Sequence, residues 1–293
     1  MSRALAGADE RLAPLPALLI EEAVRGALIE DLGRAGDITT QAVVPAQVRA
    51  SAVIAARQRG VVAGMDCALA AFRLIDPSIA VEVLLPDGAP VEPGDVAARI
   101  EGAARSMLTA ERVALNFLCH LSGVATQTRG LVEAVSGHKA KITCTRKTMP
   151  GLRALQKHAV KAGGGVSHRY GLDDGILIKD NHILAASGIG PAVERAKRSI
   201  GHMVKIEVEV ESLAQLDEAL EAGVDAVLLD NMSPTLLRDA VLRIAGRAVA
   251  EASGRIMRET APAIAATGVD LISAGWITHS APALDLGLDF ESG

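Results

Sequence analysis

Cations placed at the ends of short apolar segments are the side chains of this sequence best suited to chemistry on an anion. Arg146 and Lys147 directly follow one such segment, and Lys179 ends a second, at 176–178. The planar fork of arginine binds two oxygens of a carboxylate or phosphate, whereas lysine acts as a mobile point charge. Between the segments lie three glycines, 163–165, whose backbone N–H groups can approach an anion closely. The pattern predicts a site for a substrate with several negative charges.

Positive charge is concentrated in this part of a chain whose formal net charge is −5. One local cluster does not suit nucleic acid, which requires a broad positive surface and often aromatic stacking platforms, and aromatic residues are only 2% of the sequence. The cluster also contains a helical stretch with Arg153, Lys157 and Lys161, which we predict to be a solvated face.

Cysteine usage and hydropathy exclude several other classes of protein. The three cysteines, Cys67, Cys119 and Cys144, have neither CxxC spacing nor clustered histidines, so they indicate no disulfide framework and no zinc site. We expect Cys144, although close to Arg146, to be a small buried strand residue. The first residues lack the apolar core of a signal peptide, and no apolar run approaches the roughly 20 residues that span a bilayer. We expect a soluble, cytoplasmic protein.

The first third of the chain has the pattern of a small α+β domain with an antiparallel sheet. We predict helices over 14–31 and 65–75, a turn into extended structure at 36–40, strands within 49–63 and 79–85, and a hairpin followed by a strand over 86–102. A long helix over 106–136, with Thr109 as its cap, is the expected join to the rest of the chain.

Beyond that helix, short apolar segments alternate with helical ones, which is typical of parallel βα units closed or nearly closed into a barrel. The predicted strands are 142–145, 176–178, 204–210, 226–229, about 247–250, and 271–274. Polar residues follow or end these strands: Arg146 and Lys147, Lys179 to Asn181, Glu207 and Glu209, Asp230 and Asn231, Ser253 and Gly254, and Gly275. Because active sites of βα barrels lie at the carboxyl ends of the strands, these residues should share one rim.

Several long motifs in order resemble quinolinate phosphoribosyltransferase, also called carboxylating nicotinate-nucleotide pyrophosphorylase. They are EDLGRAGDITT (30–40), TAERVALNFLCHLSGVAT (109–126), CTRKTMPGLRALQKHAVKAGGGVSHRYGLDDGILIKDNHI (144–183), IEVEVES (206–212), AVLLDNM (226–232), EASG (251–254) and THSAPALDLGLDF (278–290). The resemblance covers nearly the whole chain.

The resemblance implies an α/β fold in two parts and a reaction. An N-terminal α+β sandwich domain would span 1–117, an incomplete parallel α/β barrel 118–279, and a tail, 280–293, would pack back on the first domain. The chain would transfer phosphoribose from phosphoribosyl pyrophosphate to quinolinate with decarboxylation, giving nicotinate mononucleotide, pyrophosphate and CO2 in de novo NAD biosynthesis. It also implies Mg²⁺ as cofactor and a homodimer, or a higher oligomer containing it.

Site roles are implied by the same resemblance. The set that holds quinolinate would be Arg146, His168, Arg169 and Lys179, with Arg112 from the neighbouring subunit. Lys147 would face phosphoribosyl pyrophosphate, Glu209 and Asp230 would lie near the ribose hydroxyls and Mg²⁺, directly or through water, and Ser253, Gly254, Gly275 and His279 would hold the phosphate end. Lys147, Lys179, Glu209 and Asp230 are the candidate catalytic residues. Two departures, Arg255 for the usual glycine and Trp276 for a small residue, fall near that phosphate.

Three alternatives stay open at this level. Lys147 or Lys179 could form a Schiff base in a barrel lyase or aldolase, although a crowd of cations does not suit that role. A non-catalytic anion-binding protein would keep the cations without needing Glu209 and Asp230. A related enzyme could transfer phosphoribose to another heteroaromatic acid, although the number of cations favours a dicarboxylate.

Overall fold

The structure, a computed structural model, describes residues 12–291 of the chain. Its helices are α1 (Ala17–Leu32), α2 (Ile38–Val43), α3 (Met65–Ile75), α4 (Ala104–Ala134), α5 (Arg153–Ala162), α6 (Asp180–Ala186), α7 (Ile189–Ser199), α8 (Leu213–Glu221), α9 (Pro234–Ile244), α10 (Ala261–Ala265) and α11 (Trp276–His279). Its strands are β1 (Arg49–Ala56), β2 (Gly60–Val61), β3 (Ala80–Val83), β4 (Pro90–Val91), β5 (Val96–Ala103), β6 (Lys141–Thr143), β7 (Ile176–Ile178), β8 (Ile206–Val210), β9 (Ala226–Asp230), β10 (Val249–Ser253), β11 (Leu271–Ser273) and β12 (Leu286–Phe290). None of these helices is both long and apolar enough to cross a membrane.

The chain forms two compact units that are not continuous in sequence. One contains the described residues up to Thr126, together with Ala154–Ala162 and the residues from Pro282 onward. The other contains Gln127–Arg153 and Gly163–Ala281. The linear division at 117/118 and 279/280 stays a prediction, and residues 1–11 and 292–293 of its ranges lie outside the described part.

The first unit has a four-stranded antiparallel sheet in the order β12-β1-β5-β3. Ile54 and Ile100, on its two central strands, are buried, as is Phe72 of α3. The tail forms the edge of this sheet, because β12 pairs antiparallel with β1 from Ala52 opposite Phe290 to Ala56 opposite Leu286. The α+β class of this unit is confirmed.

The second unit has a six-stranded parallel sheet in the order β6-β11-β10-β9-β8-β7. Its first and second strands along the chain, β6 and β7, are thus its two edges, which is the arrangement of a barrel that does not close. Val166, after the glycine run, makes a single parallel bridge to Thr143 of β6. The prediction of an incomplete parallel α/β barrel is confirmed.

The core of the second unit follows from alternation along the strands. On β8, Ile206, Val208 and Val210 are buried while Glu207 and Glu209 are half-buried. Successive side chains of a strand point to opposite faces, so the apolar residues of β8 face one way and its two acids face the other. The composition, rich in aliphatic residues and poor in aromatic ones, suits such packing of helices on a parallel sheet.

Three local predictions are wrong. Residues 38–43 form a helix and not extended structure, because the Asp37 side chain accepts a hydrogen bond from the Thr40 N–H and caps it. Thr109 lies inside α4, where its hydroxyl donates to Asp37. Lys157 is fully buried at 0% exposure, because α5 buries an unbroken run from Leu155 to Val160.

Candidate active site

A cavity of about 420 Å³ opens at the carboxyl ends of the parallel strands. It is lined by residues from every strand of the sheet or from the segments that follow them, and all of these residues belong to the second unit. The lining residues are Thr145, Arg146, Lys147, His168, Arg169, Leu177, Lys179, Glu209, Leu228, Asp230, Glu251, Ser253 and Ser273. The expected convergence of strand-end residues therefore occurs within one compact unit.

Strand register explains why these residues meet. Glu209 lies beside Leu228, Leu228 beside Glu251, and Asp230 beside Ser253. Because alternate residues of a strand share a face, residues two apart on each strand line the same cavity. On β9 the apolar Leu228 lies deeper and the polar Asp230 lies at the strand end, whereas on β10 both Glu251 and Ser253 are polar.

Two arginines carry donors that the protein itself does not satisfy. Among the described residues, the Nε atoms of Arg146 and Arg169 are buried and have no hydrogen-bond partner. Burial, followed by the nearby charge of Arg146, lowers the pKa of the Arg169 guanidinium below its ordinary value, and Glu207 and Asp174 oppose this shift. Native proteins rarely leave a buried donor unpaired, so both groups indicate a ligand that accepts hydrogen bonds and carries negative charge.

Lys179 and Glu209 form an ion pair on the same wall of the cavity. Lys179 follows β7 and Glu209 lies on the neighbouring strand β8, so the register of the sheet sets this contact. An ammonium group held by a carboxylate is not the neutral amine that Schiff-base formation requires. The lyase or aldolase alternative loses its support at this residue.

Asp230 is held through its neighbour Asn231, whose side-chain amide donates to the Asp230 carboxylate at 2.6 Å. Asn231 has a positive φ of 54°, and its backbone N–H donates to the Ser253 carbonyl. Gly254 also has a positive φ, and a Cβ there would lie 2.3 Å from the Asn231 Oδ1. The turns after β9 and β10 therefore interlock, and the close approach requires glycine at 254.

The backbone of Lys147 is fixed by two hydrogen bonds. Its N–H donates to the Thr145 hydroxyl, and its carbonyl accepts a hydrogen bond from the Thr278 hydroxyl at 2.7 Å. A Cβ on Gly275 would lie 3.1 Å from the Lys147 side chain, so the glycine leaves room for it. Trp276 donates its indole N–H to the Ile256 carbonyl at 2.8 Å and fixes the segment after β10.

His168 lies against two acids, the half-buried Glu207 and the buried Glu251. Its Nε2 atom is 3.0 Å from Glu207 and 3.7 Å from Glu251, and Glu251 is 1% exposed. The three side chains could in principle hold a metal ion, since their ligand atoms lie within 4.8 Å of one another. Glu209 and Asp230 lie on the adjacent strands β8 and β9. Mg²⁺ is usually held by one or two carboxylates together with phosphate oxygens of the substrate, and these two residues could provide the carboxylates.

The sequence-predicted residues divide into three groups. Those that line the cavity are Lys147, Lys179, Glu209, Asp230, Arg146, His168, Arg169 and Ser253. Gly254 and Gly275 lie beside lining residues, and His279 is exposed at the end of α11 with its Nδ1 atom 2.6 Å from the Ser280 hydroxyl. Arg112 is exposed on α4 in the first unit.

Three lining residues were not predicted to have a role: Glu251, Thr145 and Ser273. Glu207 was predicted to lie on the rim, but no function was predicted for it. The signal for Glu207 was its spacing of two from Glu209, which puts both on one face of a strand. Glu251 has the same spacing from Ser253. A buried carboxylate in the middle of an apolar strand is costly, so its retention points to a partner that only the structure identifies.

Comparison with known proteins agrees with the geometry. The protein-family models described as "Quinolinate phosphoribosyl transferase, N-terminal domain" and "Quinolinate phosphoribosyl transferase, C-terminal domain" match residues 37–122 and 124–289. The chain is 46% identical over 273 residues to a protein of Mycobacterium leprae named nicotinate-nucleotide pyrophosphorylase [carboxylating], with 92% of this chain and 96% of that protein covered. A protein of Bacillus subtilis with the same name, qualified as probable, is 43% identical over 261 residues, covering 89% of this chain and 90% of the relative. The solved structure of the nicotinate-nucleotide pyrophosphorylase from Francisella tularensis superposes with a TM-score of 0.92 at 40% identity, over 97% of this chain and 100% of that one.

Proposed function

Because the chain belongs to the quinolinate phosphoribosyl transferase family, it is a phosphoribosyltransferase, and we propose that its acceptor is quinolinate, bound at the carboxyl ends of the parallel strands. The observation that carries this proposal is the pair of unsatisfied guanidinium Nε–H donors of Arg146 and Arg169 in one cavity. A ring with two adjacent carboxylates can offer one carboxylate to each arginine, whereas the two arginines would have to share a monocarboxylate.

We propose that Lys179 completes the acceptor subsite together with Arg146 and Arg169. Its ion pair with Glu209 holds the Lys179 ammonium group on the wall of the cavity, where it would lie beside the ring. Burial and then the charge of Arg146 lower the pKa of the Arg169 guanidinium, and the negative charge of a bound dianion would relieve the repulsion between these two cations. The free energy of that relief contributes to orienting the ring nitrogen at the anomeric carbon of the donor.

Phosphoribosyl pyrophosphate would lie along the opposite part of the rim, with Lys147 toward its phosphates. Ser253, Gly254, Gly275 and His279 would surround the 5′-phosphate. The tight turn at Gly254 and the space left by Gly275 support this assignment, because both allow backbone N–H groups and the Lys147 chain to come close to a phosphate. His279 is exposed at the end of the helix that Gly275 precedes, so it would act at the mouth of the subsite.

Mg²⁺, when bound with the pyrophosphate group, supplies neutralisation of the charge that develops on the departing oxygen. The residues that would hold it are Glu209 and Asp230, directly or through water. Their carboxylates already have partners in Lys179 and Asn231, which suits a metal that takes most of its ligands from water and phosphate and few from protein.

The chain's own residues supply the rest of the mechanism. The quinolinate nitrogen forms a bond to the anomeric carbon as the bond to pyrophosphate breaks, and the ribose gains oxocarbenium character that Glu209 and Asp230 stabilise. The quaternised ring then loses its 2-carboxylate as CO2, because the positive nitrogen stabilises the carbanion, which takes up a proton. Arg146 and Arg169 hold the carboxylates in place until that bond breaks.

We also propose a homodimer, or a higher oligomer built from it, in which Arg112 acts in the site of the neighbouring subunit. The exposure of Arg112 on α4 supports this role, because its side chain is available to a second copy of the chain. In that arrangement Arg112 adds one more cation for the acceptor.

Release of products from two acceptors tests the acceptor assignment. With phosphoribosyl pyrophosphate and Mg²⁺, we expect quinolinate to give CO2 and pyrophosphate in equal amounts, and nicotinate to give far less pyrophosphate and no CO2. Equal turnover of nicotinate, or pyrophosphate release from quinolinate without CO2, would contradict the proposal. Omission of Mg²⁺ is the control for the cofactor and should abolish most of the rate.

A further inference from the structure

His168 is the one predicted substrate-binding residue whose two ring nitrogens both have protein partners. Its Nδ1 atom accepts a hydrogen bond from the backbone N–H of Arg169 at 2.7 Å. Its Nε2 atom is 3.0 Å from the Glu207 carboxylate. An imidazole nitrogen that accepts an N–H carries no proton of its own, so the ring proton lies on Nε2 and points toward Glu207.

The charged form of the ring does not fit this arrangement. An imidazolium would place an Nδ1–H directly against the Arg169 N–H, two donors 2.7 Å apart. The partners at the other nitrogen are fixed in turn: the side chains of Glu207 and Glu251 are 12% and 2% exposed. The ring is therefore held as the neutral Nε2–H tautomer.

We infer that His168 is a positioning residue that acts through Arg169, and not one of the cations that bind the substrate. This inference rests on the proposed function of the cavity. Glu207 fixes the ring, the ring fixes the backbone N–H of Arg169, and the Arg169 guanidinium then donates to the Gly175 carbonyl at 2.8 Å while its Nε–H remains for the ligand. Glu207 also faces the charge of Arg169, so one carboxylate sets both the tautomer and part of the counter-charge.

A metal centre made of the same three side chains is the competing interpretation. Metal binding needs the lone pair of Nε2, but the acceptor role of Nδ1 puts the proton there. The distance of 3.0 Å between Nε2 and Glu207 is that of a hydrogen bond. The geometry therefore favours a proton between these groups.

Selective ¹⁵N labelling of histidine tests the state of the ring without any substrate. The His168→Asn variant assigns the signals. At neutral pH we expect the Nδ1 of His168 in the pyridine-like range and Nε2 in the pyrrole-like range, with one-bond coupling to hydrogen at Nε2 alone. Two protonated nitrogens, a proton on Nδ1, or a divalent cation bound in equal amount by elemental analysis and lost in His168→Asn would each overturn the inference.

A double-mutant cycle in quinolinate binding, measured by calorimetry, tests the action through Arg169. Because a buried hydrogen bond is lost, His168→Ala should weaken binding roughly tenfold, and Arg169→Lys should weaken it by loss of the fork. When Arg169→Lys is already present, adding His168→Ala should weaken quinolinate binding by a further factor of less than about three, since the effects of residues that act as one unit are not additive. If the loss of affinity in the double variant equals the product of the losses in the two single variants, the inference is refuted.

The conservative variant provides the matched control for folding. The side-chain oxygen of His168→Asn can accept the Arg169 N–H, so this variant should recover most of the affinity that His168→Ala loses; an equal loss in both would contradict the inference. Failure of the wild-type protein to bind or turn over quinolinate would instead refute the proposed function, and the NMR reading of the ring is independent of that result.

Discussion

Arg146 and Arg169 are the residues whose burial the fold leaves uncompensated. Their Nε–H groups find no acceptor among the described residues, and the pKa of Arg169 lies below its ordinary value because of burial and the charge of Arg146. An unpaired buried donor costs roughly 1 to 3 kcal/mol, and more for a charged group. At the scale of the residue, then, an anionic ligand would offset the cost of burying these two donors.

Replacement of Arg146 should separate charge from shape. We expect Arg146→Ala to lower kcat/KM for quinolinate by at least roughly 100-fold, which is about 2.7 kcal/mol of transition-state binding. Arg146→Lys should recover only part of it, because lysine lacks the planar fork. The control is Arg238→Ala, an exposed cation on α9 of the same unit, which should leave the rate unchanged. Near-normal turnover of Arg146→Ala would show that the arginine does not hold the acceptor.

Gly275→Ala tests the donor side of the cavity. Gly275 has an ordinary φ of −75°, so alanine is tolerated by the backbone, but the new Cβ would lie 3.1 Å from the Lys147 side chain and 3.2 Å from the Thr145 hydroxyl. Lys147 must shift by a few tenths of an ångström. We expect KM for phosphoribosyl pyrophosphate to rise roughly three- to tenfold, with KM for quinolinate little changed. Gly201→Ala, where a Cβ meets no atom within 4 Å, is the control. An effect on quinolinate alone would place Lys147 in the other subsite.

At the scale of elements, long periodic segments were predictable and short capped ones were not. Helix α3 was predicted to the residue, because it has a strong apolar face and clear ends. Residues 36–40 were predicted as a turn into extended structure, but they lead into helix α2. Four of its six residues, ITTQAV, are β-branched, and the Asp37 cap stabilises them as a helix. The strand ends of the barrel were predictable from where polar residues or glycine follow each apolar run, whereas Glu251 could not be assigned until its neighbour across the site was known.

The Asp37 cap gives a prediction at this scale. Hydrogen bonds from Thr40, through its side chain and its backbone N–H, outweigh burial and hold the pKa of Asp37 below its ordinary value of 3.8. Asp37→Ala should therefore reduce the free energy of opening α2 by about 1 kcal/mol at neutral pH, seen as roughly fivefold faster hydrogen exchange of the Thr40 amide. Asp37→Asn, which still caps, is the matched control.

The sign of the pH dependence follows from the same pKa. A depressed carboxyl pKa means that the stabilisation is fully present above the ordinary value and is lost as pH falls through the folded value. The difference in free energy between wild type and Asp37→Ala should thus be constant from neutral pH down to about pH 5 and shrink below that. A difference that grew on acidification would rule out the charged cap.

At the scale of the whole molecule, the proposed function draws on residues of both units. The second unit holds the cavity and every residue that lines it, while Arg112 belongs to the first. The sequence could suggest both the cavity-lining residues and Arg112, because each lies in or beside a recognisable motif. It could not say whether Arg112 serves its own chain or another, since that depends on an assembly of copies.

Mixing two inactive variants decides that question. An Arg112→Ala subunit keeps Arg146 in its own cavity, and an Arg146→Ala subunit can still offer Arg112 to a neighbour. If Arg112 acts across a dimer interface, random exchange should make about half of the dimers hybrid, each with one intact site, and restore roughly a quarter of wild-type activity. The control is the double variant Arg112→Ala/Arg146→Ala mixed with Arg146→Ala, which offers no intact site in any pairing. Recovery should also depend on exchange, appearing after dissociation and reassembly and not on simple addition. If Arg112 serves its own chain, every cavity in the first mixture lacks one arginine, and the activity stays at the level of the separate variants.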